Sequence, residues 1–400
     1  MKRLFLILLA VLVIFGVVAS IASSTQGAPT ETPAAETPDA AAAPQTETAA
    51  PVEIRTLDQE ALRALHGADE TVMSLGDERV SWKEYCEWLC STAQQIEDYF
   101  AQMAAYYGVA ADWEGSIGDG SGMNFAQYAV YETNTSLSSI LAYRSFAAEK
   151  QVALSEEEQA GLTDEGLAKA LLGESATAEE LARQLELEGF SIDSYRRIRE
   201  TNLLLDKYFD ETYGPNGEKV TDETATAWLE EAGYVSAGHI LLRTIDPNTG
   251  DKLEEAAVAE KRLKAEELVT ELRAVEDAAA REQRFLELKE AFCEDGGKRS
   301  YPDGYTYTPG TMVAAFEDAA KALAPFEVSD PVESIYGYHV IMRLPLRADS
   351  LLYSQQGTPT TARQEAAAAG MNGELADFIE AKPVTFADGI EELNLVQYIK

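Results

Sequence analysis

The sequence predicts an α+β protein: a unit with a small sheet and surrounding helices, preceded by a mostly α-helical region. Three observations predict this. Residues 70–234 carry apolar stripes at helical spacing,. Residues 235–346 change to a strand, then helices, then paired strands, the order of an α+β unit with a small sheet,. Residues 347–400 return to polar, alanine-rich text with a short apolar end.

Composition bounds what the chain does. Its 69 acidic and 32 basic side chains give a formal net charge of -37, which keeps it soluble and makes a phosphate backbone or an anionic lipid surface a poor partner. Nucleic acid is set aside as a partner. At ~150 residues per domain the length allows two or three domains, and 46% hydrophobic content is enough for packed cores,.

In chain order, "MKRLFLILLAVLVIFGVVASIASS" has a basic start (Lys2, Arg3), an apolar run from Leu4 to Val18 and a small-x-small site at Ser20 to Ala22. Residues 1–22 therefore read as a signal peptide or a membrane anchor. Extended over residues 4–22, the run approaches the ~20 residues that span a bilayer, so cleavage and anchoring both stay open, and the remainder is expected outside the cytoplasm. No cysteine follows the run, which excludes a lipid on an N-terminal cysteine. Residues 23–60 are mainly Ala, Pro, Thr and Glu and read as a disordered linker, because they offer little apolar surface to offset ordering,.

The helical domain, 70–234, opens with "VMSLGDERV", a hairpin about Gly76-Asp77,. Ser81 with Glu84 forms a capping box for a helix whose stripe is Trp82, Tyr85, Leu89, Ala93, Ile96, Phe100 and Met103,. Cys86 and Cys90 lie on or beside that stripe and read as packing, with a disulfide or redox role as the alternative. Helices are expected over 124–150, from the box Thr177/Glu180 to Gly189, over 193–212, and after Thr221, where Asp222 and Glu223 suit a first turn,. Long amphipathic helices without a catalytic motif suggest a scaffold or binding cradle.

From Val235 a strand (235–243) passes through "DPNTG" to a charged helix (254–277) and a second helix (281–292). Then come the loop "CEDGGKRSYPDGYTYTPG", a helix over 312–323 with Met312 and Phe316 on one face, and strands at 327–334 and 338–344. Two of the three histidines share one context here: His239 in "GHILLR" and His339 in "GYHVIMRL". A single histidine in an apolar strand reads as a satisfied core residue, but the recurrence, with the Met/Phe helix between, suggests a site. His66, in "ALHGADE", reads as solvated. Cys293, Asp295 and the two histidines lack any short metal-ligand spacing, so neither metal nor cofactor is expected,.

"VSAGHILLR", "FLELKEAFCED", "GTMVAAFEDAAKAL", "EVSDPVES" and "YGYHVIMRL", in that order, resemble the parvulin peptidyl-prolyl isomerases. The flanks, including "LELEGFSIDSYRRIRETNLLLDKYF", resemble the PrsA/SurA-type extracytoplasmic foldases. The resemblance implies a parvulin domain at 235–346, inserted in a chaperone-like helical domain. It also implies a return segment at 347–400 that packs on the helices, where the sequence alone allows a loose tail. His239 and His339 would be the paired histidines of the catalytic wall, with Asp295 and Cys293. Ser334 would brace the second histidine at the substrate site, and Met312 and Phe316 would floor the proline pocket.

One departure stands out. The family's "GGDLG" stretch is replaced by "YPDGYTY", so that Tyr305 or Tyr307, with Tyr307 assigned to the substrate, supplies the missing apolar wall. Arg243 stands alone after His239, which does not support a phosphoserine-directed specificity.

The implied partners are unfolded or newly secreted proline-containing polypeptides, with a dimer left open. The implied activity is isomerisation of X-Pro bonds; a binding chaperone with a degenerate parvulin domain is the rival. Rotation about X-Pro meets a barrier of ~18–20 kcal/mol, and ~100 turnovers per second requires removing ~5 kcal/mol of it. No bond is broken, so no nucleophile is needed; a dry grip on the proline ring and polar groups fitted to the twisted amide suffice.

Overall fold

The computed structural model describes residues 54–107, 112–354 and 359–400. The expectations for residues 1–22 and for the linker up to residue 53 lie outside them, and the end of the linker expected to reach residue 60 is instead ordered, because Leu57 is buried and bridges to Ile399 and a helix begins at Gln59. Among the described residues no helix is long and apolar enough to cross a membrane. The protein is α+β, with helices around small antiparallel sheets, and divides into two compact units. One takes the chain up to Tyr208 together with Glu374–Lys400, the other Phe209–Gly373.

In the first unit a short helix α1 (Gln59–Arg63), capped by Asp58, precedes a hairpin of β1 (Thr71–Leu75) and β2 (Glu78–Ser81) that turns at Gly76-Asp77. α2 (Trp82–Tyr107) follows at once, the Ser81 hydroxyl accepting the Glu84 N–H at 3.3 Å. Its stripe from Trp82 to Phe100 is buried, and Tyr85 donates to Asn134 Oδ1 at 2.8 Å on α3 (Phe125–Glu149). Cys86 and Cys90 are buried free thiols. Burial pushes them up to about 12 and about 11, so they pack as apolar groups,. After the short helix α4 (Glu156–Ala160), α5 (Asp164–Leu172) and α6 (Ala178–Leu187) pack around Leu167, Leu181 and Leu185, and α7 (Ile192–Tyr213) leads out of the unit.

The second unit begins with α8 (Asp222–Glu231), capped by Thr221. Then come β3 (Val235–Arg243), α9 (Glu255–Arg273), α10 (Ala278–Phe292), a 3-10 turn (Gly296–Arg299), β4 (Tyr305–Tyr307), α11 (Ala314–Ala322), β5 (Val332–Ser334) and β6 (Gly337–Leu344). The sheet order is β4-β3-β6-β5, antiparallel throughout. The strand expected at 327–334 is interrupted: Val328 makes an isolated bridge to Met342, and β5 starts only after Pro331, which has no N–H for a ladder,.

The pleat sorts β3 and β6 into two faces. Ile240, Leu242, Val340 and Met342 face α9 and α10 in one apolar core, while Ala237 and Ile341 belong to another with Phe316 of α11. His239 pairs with Ile341, and Leu241 with His339, so both histidines share the α11 face. α12 (Ala362–Ala381) carries the chain back to the first unit, where β7 (Thr385–Phe386) pairs with β1 and Leu57 bridges to Ile399.

Candidate active site

Their register makes His239 and His339 diagonal neighbours on one face, close enough for their side chains to meet,. The ring centroids are 5.1 Å apart and Nδ1 meets Nδ1 at 3.0 Å. Further partners extend the row at both ends. His239 Nε2 lies 2.9 Å from Asp295 Oδ2, and Ser334 Oγ lies 2.7 Å from His339 Nε2.

The protons can be assigned from the ends. An ionised Asp295 only accepts, so His239 carries its proton on Nε2 and accepts on Nδ1. His339 then donates from Nδ1 and accepts the Ser334 hydroxyl proton on Nε2, while Ser334 Oγ accepts the Tyr336 N–H at 3.1 Å. All the dipoles point toward the carboxylate.

Local structure explains why Asp295 is there. β4 covers only residues 235–237 of β3, leaving the next part of that edge open. The segment after α10 fills it. Cys293 Sγ accepts the Leu241 N–H at 3.4 Å and donates to the His239 carbonyl at 3.6 Å, and the Glu294 N–H donates to the Leu241 carbonyl at 2.9 Å. The next residue is Asp295, which caps the 3-10 turn through the Gly297 N–H at 3.1 Å and accepts from the Tyr305 hydroxyl at 2.5 Å. Gly297 is needed here, since a Cβ would stand 2.0 Å from the Tyr305 oxygen.

Electrostatics follow the geometry. Burial alone would raise the Asp295 carboxyl, but the hydrogen bonds from His239, Tyr305 and the Gly297 N–H outweigh it and hold it well below the usual carboxylate range,. Burial, then the neighbouring His239, push His339 down to about 3, so it is neutral at ordinary pH. Burial and the bond to Asp295 raise the Tyr305 phenol and keep it a donor.

This polar row faces a cavity of about 380 Å³ lined also by Met312, Val313, Phe316, Tyr305, Leu241, Arg243, Tyr336 and Tyr353. The Phe316 ring packs edge-on against both imidazoles, with centroids at 5.3 and 5.8 Å. Met312 is set by buried Glu317, whose carboxylate accepts the Met312 and Gly310 N–H groups at 2.8–3.0 Å.

Residues 239–344 match the model of the PPIC-type PPIASE domain family, named rotamase. The chain carries a parvulin domain of the PrsA/SurA type. It is 36% identical over 104 residues to a "Chaperone SurA" of Chromohalobacter salexigens, covering 26% of this chain and 20% of that protein. It is 28% identical over 193 residues to a "Foldase protein PrsA 3" of Bacillus anthracis, covering 41% and 64%. It is 42% identical over 80 residues to a "Foldase protein PrsA" of a Geobacillus strain, covering 19% and 26%. The chain thus spans from a fifth to just under two thirds of these relatives' lengths.

Within the parvulin domain the structure brings His239, Asp295, His339, Met312 and Phe316 to one cavity and places three expected site residues off it. Tyr307 is fully buried beside Phe316, with centroids 5.9 Å apart, and does not reach the cavity. The register is the reason: Tyr307 pairs with Val235 and Tyr305 with Ala237, one step nearer His239, so Tyr305 supplies the wall. Ser334 touches the far side of His339 and does not line the cavity. Cys293 is buried in the core opposite α11, joined to the backbone of β3.

Sequence reasoning missed Glu317, whose only signal is an acid in the apolar run "AAFEDAA". It also missed Tyr353, for which no motif gives a signal.

The first unit holds a larger cavity of about 900 Å³ between one face of α3 and residues 379–396, among them Tyr131, Ile379, Phe386 and Leu393. Its lining holds Glu391, Glu392 and Lys382 but no histidine.

Proposed function

We propose that this protein is an exported foldase that catalyses cis-trans isomerisation of X-Pro bonds in unfolded or newly translocated polypeptides, at His239, Asp295 and His339. The observation that carries the reading is the hydrogen-bonded row Ser334–His339–His239–Asp295–Tyr305, set against an apolar floor of Phe316 and Met312.

A proline ring seated on Phe316 and Met312 is removed from water there. The row offers the rotating amide fixed dipoles in place of solvent, and their arrangement needs no reorganisation as the amide loses its resonance. Cys293 has no covalent part in this reaction, because its thiol is spent on the β3 backbone and is pushed up by burial,. Holding of unfolded clients is assigned to the helical domain, whose large cavity mixes apolar and polar walls. The protein acts outside the cytoplasm.

The test sets a proline-isomer assay on an Ala-Leu-Pro-Phe tetrapeptide beside an aggregation assay with a denatured client. The expected result is acceleration of isomerisation that is lost in His239→Ala with the fold intact. No acceleration by the folded protein, with aggregation still suppressed, would replace the enzyme by a binding chaperone.

A further inference from the structure

We infer that Tyr353, from the segment that follows the parvulin domain, is a substrate-binding residue that completes the proline pocket. The matched domain ends at residue 344, yet Tyr353 lines the same cavity as His239, Phe316 and Met312. From the domain's own loop, Tyr305 lines part of the wall, with its hydroxyl committed to Asp295, and Tyr353 lines the same cavity beside it.

The segment is held by backbone bonds. Leu352 bridges in parallel to Thr306, and the Tyr353 N–H donates to the Thr306 carbonyl at 2.7 Å, which covers the outer edge of β4. The Ser354 N–H donates to the Tyr301 hydroxyl at 3.1 Å. Tyr301 is fixed in turn by the buried ammonium of Lys289, which donates to the carbonyls of Tyr301 and Pro302 at 3.0 and 2.7 Å.

Three tyrosine rings therefore pack as one body, with Tyr353 centred 5.4 Å from Tyr301 and 5.5 Å from Tyr305. The ring next to His239 is Tyr305, at 5.5 Å. Tyr353 is partly exposed, and an aromatic ring is the kind of group that grips a proline ring or the apolar side chain beside it,. The inference rests on the isomerase reading of this cavity for its substrate. Its content is separate: the pocket is built from two stretches of chain, only one of which belongs to the matched domain.

The experiment uses the full chain and the same Leu-Pro tetrapeptide. A wall that holds the proline equally in ground and transition states appears mainly in KM. Tyr353→Ala is expected to raise KM by about tenfold with kcat little changed, while Tyr353→Phe and Tyr353→Leu stay close to wild type. A separate measurement on unmutated protein is the transferred NOE between the peptide's proline ring protons and the Tyr353 ring; it is expected to be present, and it decides the matter even where Tyr353→Ala proves poorly folded. A Tyr353→Ala variant that is folded and keeps the wild-type KM, or the absence of the NOE while the peptide gives NOEs to Phe316, overturns the inference. If wild type binds the peptide without speeding its isomerisation, the isomerase reading fails, and the NOE still tests Tyr353.

Discussion

The two faces of β3 are one residue apart in sequence and do different work. His239 and Leu241 face α11 and the cavity, whereas Gly238, Ile240 and Leu242 press against α9 and α10. At Gly238 the fit is so close that a Cβ would stand 2.7 Å from the Phe285 ring. The core face is packed and dry, and its residues are held by volume. On the cavity face the residues are held by a directed row of hydrogen bonds. Neighbouring substitutions in one strand should therefore fail in different ways, some by unfolding the domain and others by leaving it folded and slow.

The largest effect is expected on the core face. Phe285 is 1% exposed and fills the space left open by Gly238. Phe285→Ala should lower the stability of the second unit by ~3–5 kcal/mol, read from urea denaturation, with turnover per folded molecule near wild type. A slow but fully stable Phe285→Ala protein would break the division between the faces.

On the cavity face, Asp295→Ala should act mainly on turnover. The change removes the acceptor that orders the row and should cut isomerase turnover by more than tenfold, ~1.4 kcal/mol or more. It should also lower the urea midpoint, since a carboxylate held low by its partners stabilises the folded chain,, but by less than Phe285→Ala does. Equal turnover in Asp295→Ala and wild type would remove the carboxylate from the mechanism.

Acid should reach the cavity face first. Below the ordinary value of 6.5 an unfolded chain takes up a proton on His339 that the folded chain refuses until about 3. Across that interval the unfolded state binds more protons, so stability falls as pH is lowered through it. Asp295, held low when folded, adds a loss in the same direction only once pH nears its ordinary 3.8. The melting temperature of the second unit should therefore drop between pH 7 and pH 5, and His339→Asn should drop less over the same range. An equal drop in both proteins would place the acid sensitivity elsewhere.

Much of this contrast is legible in the sequence. "AGHILLR" and "YGYHVIMRL" are apolar runs that announce buried strands, and the Met/Phe spacing announces the face of α11. The hairpin at Gly76-Asp77, the cap at Ser81 and the box at Thr177 announce themselves through turn and cap chemistry, which is local, although the Glu84 carboxylate goes to Arg197 instead of closing a box at Ser81,. What stays hidden depends on register and on where a strand stops. β4 is only three residues long, inside a stretch that reads as loop, and its register decides that Tyr305 rather than Tyr307 meets Asp295. Tyr353 reaches the cavity because the end of β4 leaves an edge for residues 351–353 to cover, an event no motif spells out.

Cys293 is where the two faces meet, and it carries the smallest expected effect. By sequence it is two residues from Asp295 and resembles part of the polar wall. In the structure its sulfur occupies the edge of β3 beyond β4, accepting from Leu241 N–H and donating to the His239 carbonyl. Both contacts hold the backbone of β3, at His239 and Leu241. Serine keeps a donor and an acceptor at that place but sits on a shorter bond, so Cys293→Ser should weaken both contacts slightly, costing under ~1 kcal/mol of stability and leaving turnover near wild type. Valine keeps the volume and offers no acceptor, stranding the buried Leu241 N–H, so Cys293→Val should cost ~1–3 kcal/mol. Comparing the two by urea denaturation and by isomerase rate separates a backbone support from a reacting group. If serine and valine are equally stable but both lose turnover, the thiol belongs to the cavity face after all.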